Sequence, residues 1–390
     1  MSLWESPFYL LQVATETRKT AILSAAEERE LLQGDGTARE LANRLTNPGL
    51  RLEEEVAWLP GVSAQETASI LQQVKAAPRK EPQSAALSRS SDLYCAKANV
   101  LAQRVAEEGP GAENLTDMGL LMQYTERIVP EKLMEQINQN RRAAGLPAVE
   151  SVAKVKQALE KQQREWVRLC KLALDRYQSE HIGLGLGMLL ELLTKKRSQR
   201  APQLAYSLVD AYEVEAQGFF AAATPALREL VRYTSKRAGE DISQVELAYL
   251  LGHLLRLTYT WEKLAQPLEL AKESRLQDDR QSRQVAVDLC TISAKLLMAA
   301  AREPGTKLVF WADALIFLAG LKVIALDGDF LQNRARNELA ALQKLTLSGV
   351  SLPSRKAAVA QTQGVIFQFM QQKQLQGNMT QEIQEIVNTL

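Results

Sequence analysis

His181 and His253 are the chain's two histidines, and Cys95, Cys170 and Cys290 are its three cysteines. These side chains are the ones best able to ligate a metal or start a nucleophilic reaction, and their spacing favours neither. The histidines are far apart, no two cysteines share a C-x-x-C spacing, and nothing pairs one cysteine with one histidine as nucleophile and base. The carboxylate pairs Asp278-Asp279 and Asp327/Asp329 fall where helices start or turn, which suits capping better than acid–base work. The run His181-Ile182-Gly183-Leu184-Gly185-Leu186-Gly187-Met188 has the glycine density of a phosphate cradle. Its G-x-G-x-G lacks the dinucleotide spacing, no Gly-Lys-Ser/Thr follows and no strand precedes it. Close helix approach or a hinge is the expected use of these glycines. No catalytic residue, metal ligand or cofactor is expected, and the chain reads as non-enzymatic.

Lys195-Lys196-Arg197-Ser198-Gln199-Arg200 is a compact basic cluster, to which Arg141-Arg142 could add. Cations that follow a helix ending at Leu193 also simply complement its dipole. No aromatic residue interleaves with them to stack bases, so nucleic acid is not the expected partner. Trp261, Phe310 and Trp311 read as core or groove residues. The 390 residues carry a net charge of +1, with 46% apolar and 24% charged residues, the profile of a globular chain with no global pull toward polyanions. Isolated cysteines among apolar neighbours read as buried free thiols in a reducing cytoplasm. Met1-Ser2-Leu3-Trp4-Glu5 lacks the basic and apolar regions of a secretory leader. No uninterrupted apolar run reaches the roughly 18 residues of a membrane span. The nearest, 309–326, is broken by Asp313 and Lys322.

The elements that would position such residues are helices throughout. In Leu45-Thr46-Asn47-Pro48-Gly49-Leu50-Arg51-Leu52-Glu53-Glu54-Glu55-Val56-Ala57-Trp58-Leu59-Pro60-Gly61, Pro48 disfavours helical geometry at Asn47 and ends one helix. A short amphipathic helix follows. Its buried face is Leu52, Val56 and Leu59, Glu53, Glu54 and Glu55 serve the positive end of its dipole, and Pro60-Gly61 stops it. Ser63 with Glu66 makes a capping box for the next helix, with Ile70, Leu71 and Val74 inward. Helical patterns then cover 92–107, 115–128, 131–144 behind Pro130, 150–177, 202–217, 225–236, 247–261, 262–274 interrupted by Pro267, 279–302 and 307–326. They continue over 330–345, 354–374 and 380–387. Period-two alternation is hardly visible, so the fold class is all-α.

Before the proline turn stand Ser6-Pro7-Phe8-Tyr9-Leu10-Leu11-Gln12-Val13 and a helical run over 15–32. Tyr9, Leu10 and Val13, then Leu45, Thr46, Pro48 and Arg51, match the "xYxxLxV" opening and the "LTxPxxR" third-helix end of the DnaJ-type J-domain, which residues 5–61 resemble. The family's His-Pro-Asp tripeptide belongs in the loop near Gln33-Gly34-Asp35-Gly36-Thr37, and this sequence lacks it. Its second helix is usually basic, whereas 15–32 holds Arg18, Lys19 and Arg29 against Glu16, Glu27, Glu28 and Glu30. The resemblance implies a small helical hairpin and a protein partner of the DnaK chaperone type. Contact would fall at Arg18, Lys19 and the loop near Asp35, without the usual stimulation of ATP hydrolysis.

Ala76-Ala77-Pro78-Arg79-Lys80-Glu81-Pro82-Gln83-Ser84 is polar and twice broken by proline, and reads as a linker. The expected organisation is a J-like domain over 1–77, a linker over 78–88 and an all-helical bundle or solenoid over 89–390. No fixed repeat period aligns, although residues 312–328 resemble the second helix of a tetratricopeptide unit. The expected function is a non-enzymatic adaptor or co-chaperone. A scaffold without a chaperone partner and a nucleic-acid-associated protein stand as alternatives.

Overall fold

The computed structural model describes residues 2–34, 36–76, 92–177, 179–195, 199–237, 244–277 and 279–302. Asp35, half of the basic cluster (Lys196, Arg197, Ser198), the expected linker over 78–88 and every helix expected after 303 lie outside the described residues. Among the described residues all regular structure is helical. A 3-10 turn (Leu3–Glu5) precedes α1 (Pro7–Leu10), α2 (Lys19–Gln33), α3 (Thr37–Thr46), α4 (Pro48–Ala57), α5 (Ala64–Ala76), α6 (Tyr94–Glu107) and α7 (Ala112–Thr125). After them come α8 (Pro130–Ala144), α9 (Val152–Leu174), α10 (Ser179–Leu193), α11 (Gln203–Arg237), α12 (Gln244–Ser274) and α13 (Arg280–Arg302). The chain forms two compact units, Met1–Asp210 and Ala211–Leu390, so the division falls within α11.

Local chemistry sets the helix ends. Asn47 leaves helical geometry (φ −83°, ψ 115°) ahead of Pro48, and its side-chain oxygen accepts the Gly49 and Leu50 amides at 3.0 and 3.5 Å. Pro130 opens α8, and Gly145 (φ 70°) closes it with bonds to the Arg142 and Arg141 carbonyls from its own amide and that of Leu146. Ser63 accepts the Glu66 amide at 3.4 Å and its hydroxyl donates to the Glu66 carboxylate at 2.8 Å. Gly61 (φ +78°) meets both of glycine's requirements: a Cβ there would stand 2.6 Å from Leu93.

In the first unit α2 and α3 pack together across the Gly34–Gly36 loop, and α9 packs against α4, α6 and α8. Val155, Ala158, Leu159, Gln162, Trp166, Leu169, Cys170 and Ala173 form the buried stripe of α9, three or four residues apart. One apolar cluster runs from Leu3, Phe8, Ile22 and Leu45 through Trp58, Leu59 and Ile70 to Leu93, Ala96 and Val100. Residues on both sides of the expected linker thus share a core.

The three consecutive glutamates of α4 do not have the role their position suggests. Glu54 is 1% and Glu55 2% exposed. Glu55 bridges two buried arginines, accepting from Arg51 Nε and Arg141 Nε at 2.7 Å each. Arg51 also donates to the carbonyls of Leu45 (2.9 Å) and Thr15 (2.6 Å), and its guanidinium stands 5.3 Å from the centre of the Phe8 ring. Arg141 donates to the carbonyls of Pro48 (2.9 Å) and Pro147 (3.3 Å). Arg141 therefore belongs to the core, and only Arg142 of that pair is exposed. Glu54 pairs with Arg44 through one oxygen, while its other buried oxygen accepts nothing.

In the second unit two helices run through prolines expected to break them. Residues 202–217 and 225–236 belong to the one helix α11 around Pro225, and 247–261 and 262–274 to the one helix α12 around Pro267. A proline in a helix interior costs about 3 kcal/mol, through a lost amide and a displaced carbonyl one turn back. Near Pro267 the Tyr212 hydroxyl donates to the Leu264 carbonyl at 3.0 Å and gives that disturbed turn a donor. Burial holds the Tyr212 hydroxyl in its proton-bearing form, its pKa pushed up to about 12. Trp261 packs edge-on to Phe220 and its indole donates to Thr224 at 3.4 Å, next to Pro225. Asp279 caps α13 through the Gln281 and Ser282 amides, and Lys295 binds the carbonyl of Ser235 at 3.0 Å, in the last turn of α11.

Removing one partner from a buried ion network strands the others. Glu55→Gln is expected to lower the unfolding free energy of the first unit by about 3–5 kcal/mol in urea titrations followed by circular dichroism. The Glu54 carboxyl titrates above its ordinary value of 4.5, raised by burial even though Arg44 pulls it down. The folded chain therefore binds that proton more tightly than the unfolded chain does, and this contribution to stability is lost as pH rises from 4.5 through the folded value. Glu54→Gln is expected to flatten the fall in stability over that interval in urea titrations at stepped pH; an unchanged slope contradicts the assignment.

Candidate functional site

The segment before α2 is anchored at each end. The Leu3 amide donates to Gln103 at 2.7 Å, the Trp4 indole donates to Glu107, and Trp4 meets Tyr9 edge-on with ring centres 5.0 Å apart. Arg29 donates to the Leu10 carbonyl, and Asn140 donates to the Thr15 hydroxyl at 3.0 Å. Between these anchors α1 ends in a left-handed residue. Gln12 (φ 55°) bonds back to the Tyr9 carbonyl and Val13 to the Phe8 carbonyl, the helix end usually built on glycine. A side chain in that conformation costs about 1 kcal/mol, which the anchored segment supports.

An open groove of about 400 Å³ lies between this segment and α5. Phe8, Val13 and Leu71 line it, with Trp58 buried behind; Gln12 and Thr67 supply polar groups, and no charged side chain takes part. The floor is rigid. Trp58 stacks on Phe8 with centroids 5.9 Å apart, and Phe8 also carries the Arg51 guanidinium at 5.3 Å. Behind the floor the Asn99 side chain is held by buried hydrogen bonds. It donates to the Val56 and Trp58 carbonyls at 2.8 and 2.5 Å and accepts from Gln162 and the Trp166 indole at 2.9 Å each. The last carbonyl groups of α4, which lack helical partners, are satisfied by that side chain. An uncharged, apolar, half-open cleft of this volume suits the apolar side chains of a partner or a small neutral molecule.

No family model, curated protein or solved structure matches this chain.

The residues singled out in the sequence are not gathered at the groove. Arg18 and Lys19 are exposed at the start of α2, and the Gly34–Gly36 loop lies at its far end, about 22 Å away for a helix of this length. The glycine run sits inside the continuous helix α10, with Gly183, Gly185 and Gly187 buried, so it does not form the loop that a phosphate cradle needs. A Cβ on Gly185 would make ordinary contacts with Leu115 and Tyr177 at 3.8 and 3.9 Å. Cys95 and Cys170 are buried free thiols, both pushed up to about 12 by burial, which keeps them from acting as thiolates. His253 lies edge-on to Tyr249 at 4.4 Å. Among the described residues no group of three or more His, Cys, Asp or Glu stands close enough to hold a metal ion. No helix there is long and apolar enough to cross a membrane.

Sequence reasoning passed over Trp58, Gln12 and Thr67. Trp58 was visible as the residue before Leu59-Pro60-Gly61, but which wall it would floor depends on α5 folding back. Asn99→Ala is expected to cost about 3 kcal/mol in urea titrations, because the Trp58 carbonyl and two N–H donors lose their partner while the Val56 carbonyl keeps only the weak Cys95 thiol donor. Thr67→Ala, at the groove edge, should shift stability by less than about 0.5 kcal/mol.

Proposed function

We propose that the protein is a non-enzymatic adaptor of co-chaperone type, in which a J-like amino-terminal module and a helical body hold a protein partner. The observation that carries this reading is the groove beside α1: preformed, open, apolar and uncharged, on a floor clamped by Arg51 and Asn99. It incorporates Tyr9 and Val13 of the J-like opening motif. A partner's apolar side chains entering such a cleft gain burial with little reorganisation of the cleft itself. A DnaK-type chaperone is the partner class that the motif suggests, with Arg18, Lys19 and the loop near Asp35 as further contacts. Because His-Pro-Asp is missing from the sequence, docking is expected without ATPase stimulation.

Two measurements test the reading. Steady-state ATP hydrolysis by a DnaK-type chaperone is expected to stay within about twofold on adding the full chain; a several-fold rise refutes docking without stimulation. A photo-crosslinking residue at Thr67 or Leu71 is expected to capture such a chaperone in cells, while one at exposed Gln72, outside the groove, does not. Absence of any chaperone product from the groove positions would overturn the co-chaperone reading and favour a scaffold.

A further inference from the structure

Three leucines of α2 face solvent: Leu23 is 42%, Leu31 89% and Leu32 80% exposed. The helix meets the core instead through Ile22 and Ala26, which are buried in one cluster with Ala38, Ala42 and Leu45 of α3. At about 100° per residue, Leu31 stands opposite Ile22 on the helix, with Leu23 and Leu32 to either side. Glu27 and Glu28, both exposed, fill the spaces between them. Leu23-Glu27-Leu31 and Ser24-Glu28-Leu32 are thus two rows of residues four apart. Rows of this kind leave a furrow that takes the ridge of a second helix.

The charge on this face has no counterpart on α2. One turn from Glu27 stand Leu23, Ser24, Glu30 and Leu31, and one turn from Glu28 stand Ser24, Ala25, Leu31 and Leu32. Arg29 donates to the Leu10 carbonyl, and Arg39 of α3 pairs with Glu30 at 2.8 Å. The last turn of α2 holds no basic residue, so the negative end of its dipole adds to the two carboxylates. Single exposed leucines are ordinary, but three interleaved with carboxylates at helical spacing form a patterned face. A second copy of the chain would set glutamate against glutamate, and anionic lipid would be repelled. A partner of opposite charge fits.

We propose that Leu23, Glu27, Glu28, Leu31 and Leu32 form a docking surface for a basic amphipathic helix of a protein partner. Apolar side chains of that helix pack around Leu31, and its lysines or arginines take the carboxylates of Glu27 and Glu28. None of these five residues lines the groove beside α1, and the proposal does not depend on the co-chaperone reading.

The test is fluorescence anisotropy of the fluorescein-labelled peptide LKKLLKLLKKLLKL titrated with the full chain. Its lysines and leucines fall on opposite faces of a helix, and LEELLELLEELLEL is the charge control. The basic peptide is expected to bind and the acidic one not to. Leu31→Ser with Leu32→Ser should weaken binding at least about tenfold, through the loss of two leucines from the contact. Glu27→Gln with Glu28→Gln should weaken it about fivefold and flatten its dependence on salt. Val214→Ser, at an exposed apolar residue of the second unit, should leave it unchanged, with circular dichroism confirming that each variant folds. Failure of the basic peptide to bind, equal binding by the acidic peptide, or binding untouched by either double substitution would each overturn the proposal. So would co-sedimentation with phosphatidylcholine vesicles, or a dimer seen by light scattering, that the serine pair abolishes.

Discussion

The first unit is built around a buried charge. Two guanidiniums, Arg51 and Arg141, share the single carboxylate of Glu55 in the interior. The surplus positive charge is met by oxygen dipoles. Four main-chain carbonyls, from Thr15, Leu45, Pro48 and Pro147, point at the pair. Leu45 lies in the last turn of α3, where carbonyl groups have no helical partner and carry the negative end of the dipole. One network thus joins the end of α3, the start of α4, the segment before α2, and α8 with the loop that follows it. A buried ionic group of this kind adds little net stability over an apolar core, but it tolerates very few alternative packings.

The same rule, that buried main-chain polar groups must find partners, recurs across the fold. Asn99 satisfies two carbonyls at the end of α4 while its oxygen takes the Gln162 amide and the Trp166 indole. In the second unit Tyr212 serves the turn disturbed by Pro267, and Lys295 serves the last turn of α11. Around the loop after α6, Arg176 donates to the Glu108 carbonyl at 3.1 Å and the Tyr177 hydroxyl accepts the Gly111 amide at 2.8 Å. Long polar side chains arriving from distant helices complete ends that local capping leaves open.

This explains which parts of the fold could be read in advance. Helix ends governed by adjacent residues were legible: Asn47 before Pro48, Pro130, Gly145, and the Ser63–Glu66 box all lie where local stereochemistry puts them. So were the inward stripes of α4 and α5. The all-α class followed from periodicity alone. What depended on distant partners was not legible. Glu53-Glu54-Glu55 looks like a solvated first turn unless Arg141 is known to meet Glu55. Pro225 and Pro267 look like breaks because a proline's neighbours in space do not appear beside it in sequence. The groove needs segments brought together from separate stretches, so no single motif announces it. Arg51 is a further case, a charge visible in the sequence that the fold buries completely.

The network at Glu55 also bears on how the chain is made. Arg141 follows Glu55 by 86 residues, and at roughly 5–20 residues per second of translation it emerges about 4–17 s later. Asn99 must likewise wait for Trp166, 67 residues on. During that interval Glu55 has only Arg51, and the Asn99 side-chain oxygen lacks its Trp166 donor. The interior around the amino-terminal helices is thus completed only by side chains of α8 and α9, which leave the ribosome later.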